Sequence, residues 1–148
     1  MFQIENLINQ IDCVENYDKQ ILIKAINKLI SKTKIDPITG CWLWIRETYG
    51  RNPYGKINFL GSYKPTHRLS AHLFLKLDLK KKYQLACHKR ECINKKCWNP
   101  NHIYVGNFKT NMQDAIALGI RKPIIELRGT KKPNCKHGIK DRCKKCRQ

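Results

Sequence analysis

Eight cysteines stand at positions 13, 41, 87, 92, 97, 135, 143 and 146 of the 148-residue chain, and two groups of them include a histidine. The first group is Cys92-x4-Cys97-x4-His102; the second is Cys135-x-His137-x5-Cys143-x2-Cys146. Thiolate and imidazole at such short intervals let one local segment supply most of a zinc tetrahedron. An even cysteine count also fits disulfides, but the opening residues lack the basic-then-apolar pattern of a secretory signal. Two structural Zn2+ ions are therefore expected, in an intracellular and not a secreted protein. The second group holds four donors and can close a site alone. The first holds three and needs a fourth from elsewhere.

Charge narrows the choice of partner. Lys and Arg number 30 against 11 Asp and Glu, a formal charge of +19. The first 18 residues carry four acids and no Lys or Arg, whereas residues 119–148 carry 11 bases and two acids. No apolar run approaches the roughly 18 residues of a membrane span. The excess favours a polyanion, most simply nucleic acid, over a membrane surface.

Hydrophobic spacing predicts a helical segment over residues 3–32, with Asp18 as a cap and Ile21, Ile23, Ala25, Ile26, Leu29 and Ile30 as its apolar face. Strands are predicted at 41–45 and 54–60, joined by a loop, and a helix capped by Thr66 runs to about Leu77. Short strands at 84–88 and 103–105 flank the first Cys/His loop. Thr110 is read as the cap of a last helix, 111–118, which Gly119 stops. Three parts follow: an N-terminal helical segment (1–35), a central domain (36–119) and a basic C-terminal zinc knuckle (120–148). Cys135, His137, Cys143 and Cys146 lie among Lys136, Lys140, Arg142, Lys144, Lys145 and Arg147, a setting suited to backbone phosphates. His67 and His72 read as helix-surface or core residues and not as ligands, the three tryptophans as core and zinc-loop packing, and Cys13 and Cys87 as buried thiols.

The order strand, Cys/His loop, strand, helix brings His88 and Asn111 toward one space. An imidazole can take a proton from water, and an amide oxygen suits a hard divalent cation held against a phosphate. The segment Ala86-Cys-His88, Cys92-x4-Cys97-x-Asn99-Pro100-x-His102 and Asn111-Met-Gln-Asp114 resembles the core of HNH endonucleases. More narrowly, it resembles the zinc-bearing His-Cys box branch of the ββα-metal (His-Me finger) superfamily. Gly40-Cys41-Trp-Leu-Trp44, Tyr54-Gly55-Lys-Ile57 and His67-Arg68-Leu-Ser70-Ala71 are similar to segments preceding that core in phage and viral members.

The resemblance implies an α+β fold: a small zinc-stabilised ββα-metal core with a preceding β-hairpin and helix. It implies a Mg2+-dependent endonuclease acting on double-stranded DNA, with homing, restriction and nicking roles all compatible and a homodimer possible for two-strand cutting. His88 would be the general base and Asn111 the Mg2+ ligand, while Arg68 would contact the phosphate. Cys41 would complete the first zinc site with Cys92, Cys97 and His102. Lys89, Arg90 and Glu91 stand where that family usually has one residue, an interval a bulge would absorb. The competing expectation is a non-catalytic zinc-dependent DNA- or RNA-binding protein on a degenerate scaffold of this kind.

Overall fold

Residues 4–122 are described by the structure, a computed structural model of the chain. Two compact units divide the chain between Asn111 and Met112. The first is a small α+β assembly of short antiparallel sheets and helices. Its elements run α1 (Ile4–Asn9), α2 (Lys19–Ile30), β1 (Thr33–Ile35), β2 (Trp42–Trp44), β3 (Thr48–Tyr49), β4 (Asn52–Phe59), β5 (Ser62–Pro65), α3 (Thr66–Phe74), β6 (Leu85–His88), a single 3-10 turn (Pro100–His102) and β7 (Ile103–Gly106). The division falls within α4 (Phe108–Ala117).

The helical segment expected over residues 3–32 is two helices with a break. Residues 10–18 leave the helix because their polar groups find tertiary partners: Asp12 N–H donates to the Leu73 carbonyl, and Lys76 N–H donates to the Asp12 carbonyl. Asp18 caps α2 as expected, its carboxylate accepting from Gln20 N–H at 2.7 Å. Of the face read from spacing, Ala25, Ile26 and Leu29 are buried in the main core beside Trp44, Ile57, Phe59, Leu69, Leu73 and Trp98, while Ile21, Ile23 and Ile30 are half-buried. Each large side chain so buried contributes roughly 1.5–3 kcal/mol relative to exposure.

The strand β1 has no clear sequence signal and exists through pairing with β2, Lys34 opposite Leu43. The strands β4 and β5 form a hairpin closed by Leu60 and Gly61, both at positive φ (50° and 79°), the signature of a two-residue turn matched to strand twist. Pro65, not Thr66, occupies the cap position of α3, and no side chain caps it. Thr66 instead points into the interior, where its hydroxyl has no partner. That helix ends at Phe74, short of Leu77, because Lys76 turns to φ 56°. Cys87 is buried as expected, whereas Cys13 is partly exposed.

The last helix starts a turn before the expected position. Asn107 Oδ1 accepts from Thr110 N–H at 3.0 Å and Thr110 Oγ1 accepts from Asn107 N–H at 2.9 Å, a reciprocal cap. Thr110 is thus inside the first turn. Gly119, at φ 69°, does end the helix: its N–H reaches Ile116, and Ile120 N–H reaches Ala115.

Candidate metal centre

Hydrogen bonds around β2 bring Cys41 to residues fifty positions away. On one edge it pairs with β1; on the other, Trp44 N–H donates to the Lys96 carbonyl and Trp98 N–H to the Trp42 carbonyl, both at 3.0 Å. Ahead of Cys41, the Asp36 carboxylate accepts from Ile38 N–H and the Thr39 hydroxyl, and Gly40 adopts φ 68°, closing a tight turn. Asn99 joins the two segments. Its side-chain N–H donates to the Gly40 carbonyl at 2.9 Å while its Oδ1 caps the 3-10 turn that carries His102.

Cys41, Cys92, Cys97 and His102 converge there, with all four donor atoms within 4.8 Å of one another. Cys41 Sγ lies 3.7 Å from Cys92 Sγ and 3.5 Å from His102 Nδ1; Cys97 Sγ lies 3.6 Å from the same nitrogen. Zinc–sulfur bonds of about 2.3 Å and zinc–nitrogen bonds of about 2.0–2.1 Å at tetrahedral angles require S···S edges of about 3.8 Å and S···N edges of about 3.6 Å. These three edges match, and the other three lie within 4.8 Å. The three cysteines are buried and form no disulfide. Their thiols interact strongly: the contact with Cys97, then burial, pushes Cys92 up, burial pushes Cys41 up, and the contact with Cys92 pulls Cys97 down. A divalent cation would let all three be thiolates. The fourth donor implied by the resemblance is therefore in place, and Nδ1 is the histidine atom that faces the thiols.

The extra residues after His88 form a turn rather than a bulge. Lys89 N–H donates to the His102 carbonyl and Cys92 N–H to the Lys89 carbonyl, both at 2.9 Å, which returns the chain to the cluster. A cavity of about 160 Å³, bordered by Thr39, Lys89, Glu91 and Asn101, opens onto it. The second Cys/His group, Cys135, His137, Cys143 and Cys146, lies outside the described residues.

His88 ends β6 opposite Ile103 on β7. Its Nε2 lies 2.8 Å from the Cys97 carbonyl oxygen, which can only accept, so Nε2 bears the proton and Nδ1 keeps a lone pair. Burial pulls the imidazole below the ordinary histidine range, with the Cys97 bond opposing that and the His102 and Lys95 charges adding to it. Two rings to which the sequence assigned no role at the site lie beside it. His67 is 5.1 Å and Tyr54 6.2 Å from its centroid, the Tyr54 ring parallel to within 3°.

Asn111 is exposed on the first turn of α4, with its N–H bonded to the Asn107 carbonyl. Arg68 is engaged elsewhere: Nη1 donates to the Gln84 carbonyl at 2.7 Å and Nη2 to that of Lys81 at 3.4 Å, tying α3 to the segment before β6. Among the described residues, no second group of three His, Cys, Asp or Glu donors gathers. None of their helices is long and apolar enough to cross a membrane. The fold and site thus define a small α+β domain with a buried Cys3His cluster able to coordinate a metal ion. Compared with protein families, curated proteins and solved structures, the chain matches none.

Proposed function

We propose that the chain is a zinc-organised, nucleic-acid-binding protein that hydrolyses DNA phosphodiesters, at a site of the ββα-metal kind built on β6, the Cys/His loop, β7 and residues 108–111. The single observation carrying the hydrolytic part is the bond from His88 Nε2 to the Cys97 carbonyl. It fixes the tautomer in which Nδ1 can take a proton from water, and burial keeps the ring neutral and able to accept one. His88 takes a proton from the water as its oxygen bonds to phosphorus, the bond from phosphorus to the 3′ oxygen breaks, and that oxygen takes up a proton from solvent. Products with 3′-hydroxyl and 5′-phosphate ends are those the resemblance implies. The Asn111 amide oxygen would hold a divalent cation, which supplies charge neutralisation at the phosphate. The Cys3His cluster would hold zinc as a closed structural site.

A second reading, binding without hydrolysis, is favoured by two observations. The cluster and the net charge of +19 require no catalytic step, and Arg68 is committed to backbone carbonyls. A supercoiled-plasmid assay separates the readings. Under the first, the zinc-loaded chain nicks in Mg2+, and His88→Ala binds with wild-type affinity but does not nick. Binding by the wild-type chain with no cleavage in Mg2+ or Mn2+ establishes the second.

A further inference from the structure

Arg68 donates from Nη1 and Nη2 to the carbonyls of Gln84 and Lys81, so part of its hydrogen-bonding capacity is taken up and a second cation can serve a phosphate beside His88. One stands on the loop between two metal ligands. Residues 94–97 form a tight turn in which Cys97 N–H donates to the Asn94 carbonyl at 3.0 Å and Lys96 N–H to Asn94 Oδ1 at 3.0 Å. Lys95 is the corner residue of that turn and is exposed. Its Nζ lies 5.9 Å from the centroid of the Tyr54 ring, the ring parallel to His88. The Lys96 carbonyl receives Trp44 N–H, so β2 holds one side of the turn while Cys92 and Cys97 flank it.

We propose that Lys95 is the residue that receives a nucleic-acid phosphate beside His88, with Tyr54 supporting its ammonium and the metal-bound loop fixing its backbone. The catalytic half of this proposal rests on the reading of His88 as the hydrolytic base; the binding half does not. A lysine serves here as a compact point charge, which a phosphate oxygen can approach from several directions.

The test uses the full, zinc-loaded chain and three variants: Lys95→Gln, Lys95→Arg and, as a remote exposed lysine on α2, Lys24→Gln. Zinc content and thermal unfolding confirm that each folds. Duplex binding is measured against salt, and cleavage at saturating DNA. Loss of one phosphate contact lowers the slope of log K against log salt by about 0.9. The expected result is that drop for Lys95→Gln, with cleavage reduced about tenfold or more, both largely restored by Lys95→Arg. Lys24→Gln is expected to leave cleavage unchanged. Wild-type slope and rate in Lys95→Gln would overturn the proposal while leaving the nuclease reading standing. A reduced slope in a chain that never cuts would sink the nuclease reading and keep the phosphate contact.

Discussion

The Nε2 nitrogen of His88 donates to the carbonyl oxygen of Cys97 across 2.8 Å, so the ring at the end of β6 is held by the backbone of a residue in the metal cluster. Metal loading and the orientation of the imidazole are therefore linked through one peptide group. Cys97 sits on the bridge to Leu43 as well, which carries the same linkage to β2.

Replacing Cys97 with serine is expected to remove one equivalent of zinc relative to wild type and to lower the unfolding temperature. Structural zinc contributes about 10–16 kcal/mol of binding energy in peptides that fold around it; this unit has an apolar core besides, so a partly folded remainder is expected. Elemental analysis and calorimetry check the outcome. Wild-type zinc content in Cys97→Ser would show that this cluster is not a zinc site.

A second expectation concerns acid. His67 is buried, and burial, then the charges of His88 and Arg68, pulls its pKa down to about 3. Unfolded, it would protonate below its ordinary value of 6.5. Between those values the unfolded chain binds a proton that the folded chain refuses, so stability falls as pH falls, by at most about 1.4 kcal/mol per pH unit. His67→Phe should remove that component. Urea unfolding of both proteins at pH 7 and pH 5 reads it directly, because the acid sensitivity of the cysteine cluster is common to the pair. Equal slopes would mean that His67 protonates inside the folded protein.

Gly106, where β7 leads into α4, has no room for a methyl group. A Cβ there would lie 2.5 Å from Thr110 Oγ1 and 2.8 Å from the Tyr104 ring. Gly106→Ala is expected to destabilise by about 1–3 kcal/mol through overpacking. It would also disturb the reciprocal cap of α4, because the Thr110 hydroxyl that must move is the one bonded to Asn107. Chemical denaturation tests the first effect. If cleavage is observed, it should fall further than stability, since Asn111 is the next residue along.

What the sequence disclosed was mostly local. The two cysteines and the histidine of one short loop could be read from their spacing, and the buried stripe of α2 from its period. The fourth ligand could not: Cys41 reaches the loop only because β2 pairs with it, and resemblance rather than spacing pointed there. The break after α1 was invisible because Asp12 finds its partners at Leu73 on α3 and Lys76 just beyond it, far along the chain. Asn107 was overlooked as a cap in favour of Thr110, which answers it from within the first turn. Lys95 carried no signal at all in a chain with so many lysines. Its distinction is its position on a turn flanked by two cysteines of the Cys3His cluster.

The acidic segment before α2 is fastened to α3 by groups of unequal weight. His72 is fully buried, with Nδ1 2.6 Å from the Leu77 carbonyl and Nε2 2.9 Å from the Tyr17 hydroxyl, which lies 2.6 Å from the Glu15 carboxylate. Ion pairs also join Lys80 to Glu15 and Lys76 to Asp12, but both lysines are largely exposed. Exposed pairs contribute about 0–1 kcal/mol, whereas stranding a buried nitrogen costs about 1–3 kcal/mol. Tyr17→Phe should therefore destabilise more than Lys80→Ala or Lys76→Ala. It should also speed amide exchange at Asp12 and Lys76, whose N–H groups bond across this junction. Denaturant midpoints and hydrogen exchange on the three variants decide the matter; a larger loss in either lysine variant would mean that charge, not the tyrosine–histidine contact, secures the segment.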